Sequence, residues 1–292
     1  MVAEIGIPAA VLHGVGPRTW RNGGWLWGRH RPALRADGHK FDRGQVGVVG
    51  GTEMTGAARL AGRAALHAGA GLVTVLSPPE RAATYRNDLA GLIVREAAGP
   101  EAIAAWFDEP RRKTAVVGPG LGRDAAARAT VSAVLAAGCA TVVDADGLSC
   151  FAGAAPAFAG LVRADCVVTP HEGEYARLFG DRPGAGKLDR AREAAAFLGA
   201  VVVLKGPDTV IAAPDGRAAI NADAPAALAV AGSGDVLSGI VGAAMATGLP
   251  AFEAAALAVS CHSRAGHAMT RSSADALADA VAPLWEMPRG AG

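Results

Sequence analysis

Residues Thr114-Ala-Val-Val-Gly-Pro-Gly-Leu-Gly122 run into an Ala-rich stretch, Arg123–Ala137, and then into Thr141-Val-Val-Asp-Ala-Asp146. A β-prone run stops at a glycine-rich loop, a helical stretch follows, and a second apolar run stops at two carboxylates. That is strand, loop, helix and strand, with a polar motif at the end of each strand. The pattern extends both ways. Upstream, Gln45–Val49 ends in Gly50-Gly51, Thr55–Ala68 reads as a helix closed by Gly69, and Leu72–Leu76 is the next strand. Downstream, Cys166–Val168 ends in Thr169-Pro170-His171 and Val201–Leu204 ends in Lys205-Gly206. Thr209–Ala212 and Ala218–Ile220 flank Pro214-Asp215-Gly216, a hairpin signal. Ser233–Thr247, Ala251–Met269 and about 274–284 are helical in pattern. Strands alternating with helices predict an α/β fold with a mainly parallel sheet covered on both faces. Ligands of such sheets bind beyond the carboxyl ends of the strands, where nearly every motif of this chain falls. One shared cleft is the expectation.

Composition narrows the class. The 292 residues are 51% hydrophobic and only 5% aromatic, with much Ala, which suits helices packed closely on a sheet. The net charge of +1 gives no electrostatic grip on nucleic acid or acidic lipid, so neither is an expected partner. Apolar runs are broken well before spanning length, and the first residues lack a basic start followed by an apolar core. Cys139, Cys150, Cys166 and Cys261 show no CxxC spacing and read as buried free thiols of a cytoplasmic protein.

The chemistry concentrates at Ala231-Gly232-Ser233-Gly234-Asp235, at the start of a helix. Two glycines let backbone approach a phosphate, and the helix points free N–H groups and its positive dipole end at the anion. Asp235 is placed to take a proton from a hydroxyl attacking phosphorus. Ser and Asp are also ordinary capping residues, so the run alone reads equally as a helix start. The other motifs carry similar alternatives. Lys205-Gly206-Pro207-Asp208-Thr209 is a phosphate-pairing lysine with a nucleotide-lining loop, or a hairpin turn with a solvated lysine. Gly118–Gly122 lacks the GxGxxG spacing of a dinucleotide site and is an anion loop or a tight turn. Asp144 and Asp146 offer carboxylates to Mg²⁺ through water, or Asp146 caps the next helix. At Thr169-Pro170-His171-Glu172-Gly173-Glu174, His171 and Glu174 face the cleft, or Thr169 caps a helix with acidic residues in its first turn. Cys261-His262 and His267 lack further ligands for a metal and read as a packed helix.

The order of these motifs is more telling than any one of them. His39-Lys40, Gly50-Gly51-Thr-x-x-Thr-Gly-Ala-Ala, Gly69-Ala-Gly-Leu-Val-Thr-Val, Gly118-Pro-Gly-Leu-Gly, Asp144-Ala-Asp, Thr169-Pro-His-x-Gly-Glu, Leu204-Lys-Gly-x-x-Thr and Ala231-Gly-Ser-Gly-Asp-Val-Leu succeed one another. The set resembles the ADP-dependent NAD(P)H-hydrate dehydratases, over a domain of residues 39–292. The resemblance implies a ribokinase-like three-layer α/β/α fold with a mainly parallel central sheet. It implies phosphorylation by ADP of the hydroxyl on C6 of the hydrated nicotinamide ring (the S form of NADHX or NADPHX), then loss of phosphate to restore NADH or NADPH, with AMP as the other product. Asp235 would then be the base. Lys205, Gly206, Pro207, Asp208, Thr209, Gly232, Ser233 and Gly234 would bind the nucleotide, ADP or ATP. Ala57, Gly120, Gly122, His171 and Asp235 would bind the hydrate, with His39, Lys40, Asp144 and Asp146 as secondary contacts. Mg²⁺ is expected for phosphoryl transfer, with ligands unassigned.

The chain departs from the pattern at Val230, where threonine is common, and at Cys261-His262-Ser263, where Leu-His-Gly is common. Residues 1–38, with Trp20, Trp25 and Trp27, sustain no period and read as a surface-packing arm or linker. Within it, Ala3-Glu4-Ile5-Gly6-Ile7-Pro8 resembles the closing strand of an NAD(P)H-hydrate epimerase domain, fused or separate in this family. The resemblance and the aromatic arm suggest a homo-oligomer, with a tetramer as the candidate form. Two other readings compete: a vitamin-alcohol kinase of the same fold, and a non-catalytic nucleotide-binding protein.

Overall fold

The computed structural model describes residue 6 and residues 8–112, 114–181 and 184–288. The epimerase-like stretch at 3–8 therefore lies outside the described residues, apart from Gly6 and Pro8. Ten strands make one sheet: β1 Thr19–Arg21, β2 Gln45–Val49, β3 Leu72–Ser77, β4 Leu92–Glu96, β5 Thr114–Val117, β6 Ala140–Val143, β7 Cys166–Val168, β8 Val201–Leu204, β9 Thr209–Ala212 and β10 Ala218–Asn221. Their order is β1-β10-β9-β8-β7-β6-β5-β2-β3-β4. Neighbours from β8 to β4 run parallel, while β9 is antiparallel to both β8 and β10. The hairpin expected around Pro214-Asp215-Gly216 is thus the β9–β10 turn, with Ala212 opposite Ala218.

The strand side chains explain the layering. Val46, Val48, Val73, Val75, Val116, Val142 and Val203 join one core with the helices Thr55–His67, Ser233–Ala246 and Ala251–Ala268. Val49, Leu76, Val117, Val143, Val168 and Leu204 join a second core with the helices Ala125–Ala136, Glu172–Phe179 and Lys187–Leu198. Alternate residues feed opposite faces, and both faces are dry, so these strands carry no polar alternation. Small residues let helices approach closely. A Cβ on Gly239 would stand 2.0 Å from the Ala61 carbonyl oxygen, where the helix Ser233–Ala246 crosses Thr55–His67.

Three local outcomes differ from the sequence expectation. The last helical pattern stops at Asp279 rather than near 284, because Pro283 disfavours helical backbone just before it. Edge strand β4 ends in Arg95-Glu96 and lacks a long apolar run. The aromatic arm is part of the fold: β1 pairs with β10 in parallel, and the short helix Gly24–Trp27 places Trp27 in the first core at 1% exposure. Arg31 donates to the carbonyls of Trp285 and Met287. A three-residue strand has no period to detect, which is why the arm reads as irregular. Trp27 is thus covered within the chain, while Trp25 stays exposed at 38%.

Candidate active site

The carboxyl ends of β6, β7 and β8 open on a cleft of about 650 Å³, roofed by the first turn of the helix Ser233–Ala246. Asp144, His171, Glu174, Lys205 and Asp235 line its polar end. Lys205 Nζ stands 2.7 Å from Asp144 Oδ1 and 3.7 Å from Glu174 Oε2. The lysine is therefore held between two buried carboxylates, not solvated at a turn. Burial by itself would lower its pKa; Asp144, Glu174 and Asp235 together lift it above the ordinary lysine value. A Cβ on Gly234 would meet Lys205 Nζ at 3.1 Å and Asp144 Oδ2 at 3.7 Å, so the lysine reaches the head of the helix.

Asp235 sits in that first helical turn, at the edge of the same group. Burial, and then the negative charge of Asp144, push its carboxyl up to about 7, against the opposing pull of Lys205. A carboxylate tuned to neutrality can take a proton and then release it. Gly232 enters the helix with φ of 90°; the Ser233 N–H turns back to the Val230 carbonyl at 3.2 Å, and no side chain caps the N–H groups of Gly234 and Asp235. Ser233 and Asp235 are thus not cap residues. Ser233 is held from behind: His262 Nε2 lies 3.0 Å from its carbonyl oxygen and 3.2 Å from its hydroxyl. A carbonyl only accepts, so Nε2 carries a proton, and burial pushes the His262 pKa down to about 4.

Backbone geometry separates the two aspartates of Asp144-Ala145-Asp146. Ala145 has φ of 51°, the single positive φ outside glycine among the described residues. This twist sends Asp144 toward Lys205 and Asp146 the other way, where it accepts from Gly122 N at 3.1 Å and Arg123 Nε at 2.8 Å. Asp146 secures the glycine loop and does not cap its own helix. That loop comes close because of Gly118, where a Cβ would stand 1.9 Å from the Asp144 carbonyl oxygen.

After β7, the helix Glu172–Phe179 is capped by His171, whose Nδ1 accepts from Gly173 N and Glu174 N, while Glu174 accepts from His171 N. Thr169 does not serve as the cap; its backbone and hydroxyl turn inward to the Val143 carbonyl. After β8, Thr209 Oγ1 closes the Lys205–Thr209 turn on Gly206, and Lys187 Nζ reaches across to Asp208 at 2.8 Å. Gly206, Pro207 and Thr209 line the cleft. Beyond them it is apolar, walled by Pro225, Leu228, Leu237 and Val259.

The cleft gathers most of the expected residues and leaves some out. Ala57 lies in the first turn of the helix Thr55–His67, which follows β2, and Gly120 and Gly122 lie on the loop after β5; none of the three is on the cleft wall. His39 and Lys40 are elsewhere: they precede β2, at the amino ends of the strands, and line a separate pocket of about 500 Å³ with Arg43 and Trp285. Lys187, His262 and Ser263 join the site unforeseen. Of these, only the position of Cys261-His262-Ser263 on a late helix gave a hint. Among the described residues, no group of three or more His, Cys, Asp or Glu is arranged to hold a metal.

A mainly parallel α/β sheet with a lysine, a tuned aspartate and a helix N-terminus at one cleft defines a ribokinase-like fold, and the comparisons agree. A ribokinase-like superfamily protein from Enterococcus faecalis superposes with a TM-score of 0.79 at 25% identity, over 90% of this chain and 94% of that one. The family model described as NAD(P)H-hydrate dehydratase matches residues 46–282, and the chain belongs to that family. The bifunctional NAD(P)H-hydrate repair enzyme of Mycobacterium tuberculosis is 41% identical over 77% of this chain and 45% of its own length. The ADP-dependent (S)-NAD(P)H-hydrate dehydratase of Neisseria meningitidis is 36% identical over 86% of both. The ADP/ATP-dependent NAD(P)H-hydrate dehydratase of Bacillus subtilis, co-crystallised with ATP/Mg²⁺, superposes with a TM-score of 0.69 at 26% identity, over 88% of this chain and 95% of that one. The chain spans about half the length of several curated relatives it matches. No helix among the described residues is long and apolar enough to cross a membrane.

Proposed function

We propose that the chain dehydrates the S form of NADHX and NADPHX at the expense of ADP, giving NADH or NADPH, AMP and inorganic phosphate. The observation that carries this reading is Asp235: a carboxyl pushed up to about 7, in the first turn of an uncapped helix, sharing one cleft with Lys205. In this proposal Asp235 takes the proton of the substrate hydroxyl as that oxygen attacks the β-phosphorus of ADP. The N–H groups of Gly232 and Gly234 donate to the phosphoryl oxygens, and Lys205 offsets their charge. AMP leaves, and the ring then carries phosphate where it carried hydroxide, a far better leaving group. Its departure with loss of a ring proton restores the double bond.

The Lys205–Thr209 turn and the apolar wall at Pro225 and Leu228 would hold the adenosine. His171, with Ala57, Gly120 and Gly122 beside the cleft, would border the hydrate. His39 and Lys40, at the opposite ends of the strands, are not carried into the reading. Asp144 Oδ2 is buried and meets no partner among the described residues, which fits one protein ligand for a Mg²⁺ that takes its remaining ligands from phosphate and water. Bound there, the metal would neutralise phosphate charge. A homo-oligomer, a fused or separate epimerase, and a cytoplasmic location complete the proposal. The test is optical: prepared NADHX incubated with the protein, Mg²⁺ and ADP recovers NADH absorbance, with one AMP and one phosphate per turnover. No recovery with ADP or with ATP overturns the reading.

A further inference from the structure

A chain of hydrogen-bonded side chains runs from the arm to the apolar end of the cleft. Asn22, the residue after β1, donates from Nδ2 to Asn221 Oδ1 at 3.1 Å and to the Ala256 carbonyl at 2.8 Å. Asn221, at the end of β10 and 5% exposed, donates from its own Nδ2 to Ser263 Oγ at 2.9 Å. Ser263 is also 5% exposed, and it lines the cleft.

The direction of these bonds has a chemical consequence. Asn22 fixes which way the Asn221 amide points, because Asn221 Oδ1 must face a donor. The Asn221 NH₂ then faces Ser263, so the serine oxygen accepts. A hydroxyl has one proton to donate. A helical serine usually gives it to the carbonyl one turn back, yet among the described residues no such bond forms at Ser263. Its proton is left for whatever fills the cleft. The surroundings indicate what that is. Val259 lies one turn earlier on the same helix, and Pro225 and Leu228 rest on Gly266, where a Cβ would meet them at 2.7–2.9 Å. Apolar walls beside a hydroxyl donor suit the edge of a heteroaromatic base.

We infer that Ser263 donates to a ring nitrogen of the purine, with Asn22 and Asn221 setting the direction of its hydroxyl. Ser263 is then a base-selecting residue, and the arm is part of the nucleotide site. This rests on the proposed use of ADP. It goes further in assigning a donor at a position where the family pattern commonly has glycine, a residue with no side chain to donate.

The experiment is calorimetric titration of the full chain with ADP and with its 1-deaza, 3-deaza, 7-deaza and 2′-deoxy analogues, on wild type, Ser263→Ala and Asn22→Ala. Ser263→Ala weakens ADP binding about ten-fold, the worth of one hydrogen bond. One deaza analogue loses a similar factor on wild type and nothing further on Ser263→Ala. Asn22→Ala shows a smaller loss of the same kind. Wild-type affinity for ADP in Ser263→Ala overturns the inference, as does a loss that follows the 2′-deoxy analogue and no deaza analogue. Failure of wild type to bind ADP at all overturns the proposed function itself, and the inference with it. A melting temperature for Ser263→Ala close to wild type shows that a lost affinity is not lost folding.

Discussion

Lys205 Nζ and Asp144 Oδ1 stand 2.7 Å apart at the carboxyl ends of two parallel strands, with Asp144 fully buried and Lys205 largely so. Asp144 follows β6 and Lys205 follows β8, with β7 and its Glu174 between them. The pair fixes the charge of the cleft. Burial raises the Asp235 carboxyl most, Asp144 raises it further and Lys205 lowers it, so the proposed base is tuned by its burial and by two groups of opposite sign.

Lys205→Met removes the group that pulls the Asp235 pKa down. The acid limb of the rate profile, expected near pH 7 in wild type, moves to higher pH. It also leaves Asp144 buried without a cation, which costs about 3–5 kcal/mol. A kcat profile from pH 5 to 9 with parallel thermal melts checks both. An unmoved limb rejects the assignment of that limb to Asp235.

Asp235→Asn lowers turnover by about 10²–10⁴ while ADP still binds. Its effect on stability depends on pH. The folded pKa of about 7 lies above the reference value of 3.8, so the stability tied to the neutral carboxyl is fully present below about pH 4. It is lost as pH rises through 7. The variant therefore melts near wild type at low pH and above it at pH 8, by on the order of 2–4 kcal/mol before allowance for partial exposure. A variant less stable than wild type at pH 8 contradicts the account of the carboxyl as a buried charge.

Ala145→Gly relieves the positive φ of 51°. Folding stability rises by about 1 kcal/mol, net of the extra chain entropy of glycine. Urea titration reads this directly. A loss of stability means that the methyl group contributes more by packing than its backbone costs.

Trp27→Ala opens a cavity in the core shared with the helix Ala251–Ala268 and costs about 3–5 kcal/mol. A surface-packed arm would lose far less, so denaturant midpoints discriminate between the two.

The sheet was legible because its strands are short valine-rich runs stopped by glycine, proline or a charged residue, and the stops after β6, β7 and β8 fall at the cleft. Lys205, Asp235, Asp144 and His171 could be gathered on that ground alone. What sequence could not supply was contact between distant residues. Asn22 and Asn221 are 199 positions apart, and His262 reaches Ser233 across 29. Neither pairing leaves a local trace. The placing of His39 and Lys40 shows the converse limit. They stand among the ordered motifs of the chain, yet they precede their strand where the other motifs follow theirs, and the parallel sheet carries them to its far end. Thr169 was read as a cap from its type, but the backbone starts the helix two residues later and gives that work to His171.

The short strand β1 has one more consequence. Beyond it, β10 would present Ala218-Ala-Ile-Asn221 as an uncharged outer strand, with open N–H and C=O groups ready to pair with another sheet. The segment Thr19–Arg21 occupies that rim, and Arg192 holds it there through Arg18 O and Thr19 Oγ1. A version trimmed to the family-matched residues would keep Asp144, Lys205 and Asp235 and lose this guard together with Asn22. Its expected failing is poor solubility, through sheets of separate molecules joining edge to edge.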